Sequence, residues 1–129
     1  MSEEFTLEII SPEQTLFNSD VRQVSIPAYE GMMTILKNHI SLITFLRPGF
    51  VKIEARDKTE KFYVEDGTVE FYNNKLLILS PSAIQINKLS KKNIQKMIED
   101  YKVLLQNSEI MDYERHIINH KVDSLQQIN

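Results

Sequence analysis

Several residue types on which common functional sites depend are absent or scarce in this chain. It has no cysteine, which excludes disulfide bridges and thiolate metal sites. Its only glycines, Gly31, Gly49 and Gly67, are too few and too far apart for a phosphate-binding loop, a dinucleotide fingerprint or a nucleophile elbow. Stability must therefore come from packing, and catalysis would depend on carboxylates or histidines.

Long hydrophobic runs are absent as well. The longest unbroken apolar run, Leu76 to Leu79, is far shorter than the roughly 20 residues of a membrane-spanning helix. The start of the chain, Met1 to Phe5, carries acidic residues and no apolar stretch, unlike a secretory signal or a transit peptide. Any association with a membrane is therefore expected to be peripheral.

The charged residues are mixed rather than clustered. The formal net charge is -3, and dividing the chain after Asn87 gives -4 for the first part and +1 for the second. Neither part has the stripe of lysine and arginine that neutralises nucleic-acid phosphates, so nucleic acid is not expected as a partner. The mild asymmetry favours contact of the C-terminal part with an acidic protein surface.

The first part of the chain has the pattern of a β-sandwich or barrel. Between Phe5 and Ile86, short stretches alternate apolar and polar residues and are separated by turn residues about every 8 to 12 positions. Tight turns are predicted at Asp66-Gly67 and Asn73-Asn74. A strand is predicted to end at Pro27, because proline has no backbone N–H to donate.

Two strands carry more specific predictions. Phe62 and Val64 are predicted on the apolar face of their strand, with Lys61, Tyr63 and Glu65 on the polar face. The run from Lys75 to Leu79 is apolar in both phases, which predicts a central strand.

After Ile86 the period changes to that of two amphipathic helices. The first is predicted to be capped by Ser90 and to end at Asn107-Ser108, and the second to begin near Glu109. The second helix has an apolar stripe over about half its circumference, which one partner helix cannot cover. The sequence therefore predicts a β domain in residues 1–87 and an antiparallel helical hairpin in residues 88–129. The first stripe contains Ile94, Met97, Ile98, Tyr101, Leu104 and Leu105; the second contains Ile110, Met111, Tyr113, Ile117, Ile118, Val122 and Leu125.

The histidines leave two alternatives each. His116 and His120 lie one turn apart, a spacing that can chelate a metal with a third ligand such as Glu114, or that can simply belong to a solvated helix face. His39 is either a turn residue bonded to backbone or a protein contact.

Met32 also leaves two alternatives. It follows the Glu30-Gly31 turn and is either the exposed member of an alternating pair or an adaptable docking tip.

Together these residues resemble a known family. The similarity is to the epsilon subunit of bacterial F-type ATP synthases, and it extends over roughly Phe5 to Gln127. It rests on Glu30-Gly31, Ile35-Leu36, His39, Leu42, Leu46, Pro48-Gly49, Gly67, Val69-Glu70 and Leu77 to Leu79. The chain departs from the family at Thr34, usually glycine, at Lys37-Asn38, usually Pro-Gly, and at Ile40-Ser41, usually Ala-Pro. Asn38 can replace a left-handed glycine.

The resemblance implies a flattened β-sandwich of about ten strands followed by a two-helix hairpin, acting without catalysis or cofactor as a rotor part of the central stalk. The loop of Glu30, Gly31 and Met32 would face the c-subunit ring. Ser11, His39 and Thr44 would lie toward the gamma subunit.

The resemblance also implies that the hairpin either folds on the sandwich or extends into the catalytic head of alpha and beta subunits, where it inhibits ATP hydrolysis. Arg115 and Lys121 would then meet an acidic segment of beta; alternatively they are solvated or pair within one helix, as Asp112 with Arg115. The first helix lacks the Asp and Arg of the nucleotide motif found in some relatives, so weak or no ATP binding is predicted.

The resemblance therefore implies a non-catalytic coupling and regulatory subunit of a proton-translocating ATP synthase, peripheral on the cytoplasmic side of a bacterial inner membrane. Two alternatives remain: a free-standing protein-binding adaptor with the same sandwich, and an enzyme using His116, His120 and Glu114 around a metal.

Overall fold

The computed structural model describes residues 3–128 and contains ten strands followed by two helices. A short 3₁₀ turn, Ile86–Lys88, connects the strands to the helices. The strands are β1 (Phe5–Ile10), β2 (Thr15–Val21), β3 (Gln23–Ala28), β4 (Gly31–Leu36), β5 (Leu42–Leu46), β6 (Gly49–Glu54), β7 (Thr59–Val64), β8 (Gly67–Tyr72), β9 (Lys75–Leu79) and β10 (Ile84–Gln85). The helices are α1 (Lys91–Leu105) and α2 (Asp112–Gln126).

The strands form one hydrogen-bonded sheet that divides into two halves. The strand order is β10-β7-β6-β3-β5-β8-β9-β1-β2, with β4 added to β3. The halves meet where β3 pairs with β5 at Ala28 and Leu46, and every pairing is antiparallel except that of β1 with β9. Phe17 of β2 and Phe62 of β7 stand far apart in this order, yet their rings meet edge to face at 6.3 Å. The two halves therefore fold over each other, which confirms the predicted sandwich and its hairpin.

Alternation fills the space between the halves with apolar side chains. Leu7 and Ile9 of β1, Val24 and Ile26 of β3, and Ile78 of β9 are all fully buried there. Each such side chain contributes about 1.5–3 kcal/mol by leaving water. The core of the sandwich is therefore apolar, as the period of two predicts.

Asparagines supply the left-handed turns for which this chain has few glycines. Asn73 and Asn74 have φ of 51° and 59° in the β8–β9 turn, and Asn38 has φ of 67°. The Asn38 N–H donates to Oδ1 of Asn74 at 2.7 Å, and Nδ2 of Asn74 donates to Oδ1 of Asn38 at 3.0 Å. The prediction that Asn38 replaces a left-handed glycine is therefore confirmed.

The hairpin packs on the outside of the β6–β7–β10 edge of the sandwich. Ile94 and Ile98 of α1 and Val122 and Leu125 of α2 form a second apolar cluster around Tyr63. Tyr63 was predicted on the polar face of β7, but it is completely buried because the hairpin covers that face. Period-two alternation indicates which side of a strand is outside, and it does not reveal that another element covers the outside.

Two boundaries differ from the sequence-based prediction. β3 continues through Pro27 to Ala28, since Pro27 uses only its carbonyl, which accepts from the Arg47 N–H at 2.9 Å. Strand β9 lies between β8 and β1, as predicted for a central strand, although its outer side is only partly covered, with Leu79 43% exposed. Helix α2 begins at Asp112 and not near Glu109, because the Glu109 N–H is bound by the Asn107 side chain in a turn.

Ser90 caps α1, as predicted. Its hydroxyl accepts from the Asn93 N–H at 3.1 Å, satisfying one of the free donors of the first turn. We expect Ser90→Ala to lower the free energy of unfolding by about 1 kcal/mol, whereas Ser90→Asp should retain the cap. Urea unfolding of both variants, followed through helical circular dichroism, measures the difference. Equal stability of the two variants would contradict this role for Ser90.

Candidate protein-binding surfaces

An exposed apolar face covers the outer side of strands β5, β8 and β9. Ile43 is 74% exposed and Phe45 55% exposed, and Tyr72 and Leu79 also lie open to solvent. These four residues are named the apolar face. Ile43 lies opposite Glu70 and Phe45 opposite Thr68, so polar groups separate its apolar members. Sequence reasoning did not single out this face, although β5 shows apolar residues in both phases of its alternation, which was the available signal.

The three residues predicted to lie toward gamma are spread along the sheet that bears this face. Thr44 and Ser11 are buried, with 7% and 8% of their surfaces exposed. The Ser11 hydroxyl accepts from the Gln14 N–H at 3.3 Å and holds the turn after β1. His39 is half-buried, with its ring edge to face on Phe71 at 5.9 Å and its Nδ1 2.7 Å from the Ile40 carbonyl oxygen. Side-chain contact with a partner would come from the neighbours of Thr44 on the apolar face.

The loop of Glu30, Gly31 and Met32 is the tip of the β3–β4 hairpin. Met32 is 56% exposed, whereas Met33 packs against the sandwich core, as strand alternation requires. The Glu30 carboxylate accepts a hydrogen bond from the Thr44 hydroxyl at 3.2 Å, which connects the tip to β5. This arrangement gives the tip one adaptable apolar side chain and one anchored acid.

One carboxylate holds both hairpin helices to the sandwich. Oε2 of Glu65 accepts hydrogen bonds from the hydroxyls of Tyr63, at 2.8 Å, and of Tyr101 on α1, at 2.6 Å. Its Oε1 lies 3.8 Å from Nζ of Lys121 on α2, which also stacks over the Tyr101 ring. These four residues are named the Glu65 cluster. Ser82 orients it, because its hydroxyl accepts from the Glu65 N–H at 2.9 Å.

The electrostatics of the Glu65 cluster keep its phenols neutral. Burial, together with the nearby Glu65 carboxylate, raises the pKa values of Tyr63 and Tyr101 well above the ordinary value of 10.0. Both hydroxyls therefore remain hydrogen-bond donors at any physiological pH. The Glu65 cluster is thus a set of polar contacts within the otherwise apolar interface of the hairpin and the sandwich.

The two basic residues predicted to contact a partner have different positions. Lys121 is used within the chain by the Glu65 cluster. Arg115 donates to the Leu105 carbonyl at 2.7 Å and to the Asn107 carbonyl at 3.2 Å, and so closes the end of α1. Among the residues that the structure describes, Arg115 does not form the intrahelical ion pair with Asp112 that was one predicted alternative.

His116 and His120 meet each other, but they do not form a metal site with Glu114. Their Nε2 atoms are 3.1 Å apart, and their rings are edge to face at 4.5 Å. Glu114 is exposed, and residues 3–128 contain no group of three His, Cys, Asp or Glu side chains placed to hold a metal. The geometry therefore does not support the metal-enzyme alternative.

The docking of α2 is expected to weaken in acid because of His120. Burial, aided by the positive charges of His116 and Arg47, holds the pKa of His120 below its ordinary 6.5. The undocked or unfolded chain thus binds more protons than the docked one below pH 6.5, so stability should fall as pH falls through this region. Urea midpoints between about pH 5.5 and 7.5 measure this, and His120→Gln should flatten the profile. A profile unchanged by His120→Gln would contradict it.

Comparison with known proteins places the fold and the sequence in one family. Residues 4–86 match the family described as ATP synthase, Delta/Epsilon chain, beta-sandwich domain. The ATP synthase epsilon chain of Pelagibacter ubique (strain HTCC1062) is 42% identical over the full length of both chains. That of Allorhizobium ampelinum is 34% identical over 90% of this chain and 83% of its own.

Solved structures agree on the fold. A chain in the cryo-EM structure of Euglena gracilis mitochondrial ATP synthase, OSCP/F1/c-ring, superposes with a TM-score of 0.81 at 17% identity, over 98% of this chain and 81% of that chain. A chain of the Tetrahymena thermophila mitochondrial ATP synthase central stalk and c-ring gives 0.70 at 15% identity, over 95% and 93%. Neither helix within residues 3–128 has the length and apolar character needed to cross a membrane. The chain belongs to the ATP synthase epsilon chain family, and it is a non-catalytic subunit rather than an enzyme in its own right.

Proposed function

We propose that this chain is a central-stalk subunit of a proton-translocating F-type ATP synthase, which couples the c-ring and the gamma subunit to ATP synthesis and inhibits ATP hydrolysis through its hairpin. The observation that carries this proposal is the division of the sandwich surface. One outer side is covered by the chain's own hairpin, whereas the apolar face on β5, β8 and β9 remains open. An open apolar surface of this kind marks a protein interface.

The sandwich, residues 1–87, is the docking unit in this proposal. The apolar face presents Ile43 and Phe45 to the gamma subunit. Glu70 and Thr68, which lie opposite them on β8, add polar groups that a partner surface must match. The tip of Glu30, Gly31 and Met32 faces the c-ring. Membrane association is thus indirect, on the cytoplasmic side of a bacterial inner membrane.

The hairpin, residues 88–129, is the regulatory unit. Its loop end leaves Val103, Leu104, Met111 and Tyr113 exposed, so the broad stripe predicted on α2 is only partly covered in the docked state. A cluster of polar contacts around one carboxylate holds the hairpin, and such contacts can exchange for water when it leaves. Release would free Lys121 to meet an acidic surface of the catalytic head. Two partners for one apolar stripe are what a two-state element requires.

The test is the ATPase rate of the cognate catalytic head stripped of this subunit, measured before and after adding back either the full chain or a chain ending at Asn87. If both chains bind the catalytic head and only the full chain slows hydrolysis, the regulatory role of the hairpin is supported. If both bind and neither slows hydrolysis, the inhibition is contradicted and only the coupling role is left. If neither binds, the proposal fails and the alternative of a free-standing adaptor is favoured.

The role of the apolar face is tested by the double variant Ile43→Glu/Phe45→Glu. Both side chains are largely exposed, so the variant should fold normally and yet lose binding to the gamma subunit by about tenfold or more, because each charge would be desolvated at the interface. Lys91→Glu is the matched control, since it changes the net charge equally at an exposed position on α1. Equal binding of both variants would place the gamma contact elsewhere.

A further inference from the structure

A small cleft between α2 and the sandwich has no assigned role. Its volume is 170 Å³, below the roughly 300–1,000 Å³ of sites for drug-sized ligands, so it can take only a small one. Residues from both units line it: Tyr29 and Arg47 from the sandwich, and Tyr113, His116, Ile117 and His120 from α2. It is named the α2 cleft.

The surroundings of the α2 cleft carry more positive than negative charge. Nε of Arg47 is buried without a hydrogen-bond partner, and its guanidinium forms no ion pair within residues 3–128. A buried donor without an acceptor is costly and uncommon in folded proteins. Around His120, the sandwich contributes two cations, Arg47 and Lys52, whereas Asp123 of α2 is the one acid beside it.

The hydrogen-bond donors in the cleft also have spare capacity. The hydroxyls of Tyr29 and Tyr113 are 3.3 Å apart, and since only one can donate to the other, the second O–H remains available. Nε2 of His116 and Nε2 of His120 face each other at 3.1 Å, so an anion bound beside both rings would offset the repulsion between two imidazolium charges.

We propose that the α2 cleft binds a small tetrahedral oxyanion, of the phosphate or sulfate type, between Arg47 and the protonated His116 and His120. Guanidinium and imidazolium donors form short, charge-assisted hydrogen bonds to such oxygens. The donors belong to both units, so the anion stabilises the docked hairpin. The site does not depend on the proposed function and can be tested on the isolated full chain.

The experiment is calorimetric titration of the full chain with sulfate at constant ionic strength, at about pH 6 and pH 8. Sulfate keeps its charge over this range, so a change in affinity reports titration of the histidines. We expect binding at the lower pH and about tenfold or more weakening at the higher pH. Arg47→Gln and His120→Gln should each weaken binding by about tenfold or more. Lys91→Gln removes a distant charge and should have no effect.

Competition experiments identify the kind of anion that the cleft binds, and a folding control shows that a loss of binding is not caused by misfolding. Inorganic phosphate should compete with sulfate, whereas ATP competing better than phosphate would show a nucleotide site instead and overturn the proposal. At the lower pH, sulfate should raise the urea midpoint of the hairpin in the parent chain and not in Arg47→Gln, whose sandwich amides report that it is folded. Equal sulfate binding by the parent and Arg47→Gln, or no heat well into the millimolar range, would also overturn it.

Discussion

Gly67→Ala is expected to destabilise the chain by about 2–5 kcal/mol, a large part of the total stability of a domain of this size. Gly67 has φ of 144°, a conformation that residues with a side chain rarely adopt. An added Cβ would also lie 2.5 Å from the carbonyl oxygen of Leu79 and 3.0 Å from Cβ of Ser80. The nearest of these atoms belongs to backbone in the middle of a sheet, so it cannot move away cheaply.

Gly31→Ala separates the two contributions. Gly31 has a similar φ of 130°, but an added Cβ there would meet nothing within 4 Å. It should therefore cost only the backbone strain, about 1–2 kcal/mol. The comparison uses urea unfolding of both variants with a common denaturant slope. If the two glycine substitutions destabilise equally, close approach at Gly67 is not the dominant cause.

Glu65→Ala is expected to weaken docking of the hairpin by about 2–4 kcal/mol while leaving the sandwich folded. The substitution removes the acceptor of the Tyr63 and Tyr101 hydroxyls and the ion-pair partner of Lys121. Tyr63 is fully buried beneath the hairpin, so its hydroxyl is left without a partner unless the hairpin moves. Amide hydrogen exchange should then show faster exchange throughout α1 and α2, with sandwich amides unchanged.

Two further variants distinguish this role from a general effect of removing an acid. Glu99→Ala removes an exposed carboxylate of α1 that accepts a hydrogen bond from Gln95, and it should leave docking unchanged. Glu65→Gln keeps an acceptor for the hydroxyls but loses the ion pair, so its effect should be intermediate. Equal exchange rates in Glu65→Ala and Glu99→Ala would show that the Glu65 cluster does not hold the hairpin.

The same variants connect stability to the proposed function. If the released hairpin inhibits hydrolysis, Glu65→Ala should inhibit the catalytic head more strongly than the parent chain, because less free energy is needed for release. Weaker docking without stronger inhibition would separate the two properties. The Glu65 cluster would then be a structural feature of the docked state alone.

Local features of this chain could be predicted from the sequence because they depend on neighbours within a few residues. The strands follow from alternation, the Ser90 cap from the requirement of a helix N-terminus, and the turn at Asn38 from the tolerance of asparagine for positive φ. The family resemblance likewise rested on residues visible in the sequence. The order of a sandwich followed by a hairpin therefore follows from local patterns in the sequence.

The functional surfaces were decided by tertiary structure, because they join residues far apart in the chain. Thr44 lies inside and Ile43 outside because the two halves of the sheet close on one phase of β5, a choice that its apolar sequence leaves open. Tyr63 and Glu65 form a docking site only because α1 and α2 pack against β7. The α2 cleft likewise exists only where Arg47 meets His120. Sequence determines local conformation, whereas burial and charge compensation depend on what packs from a distance.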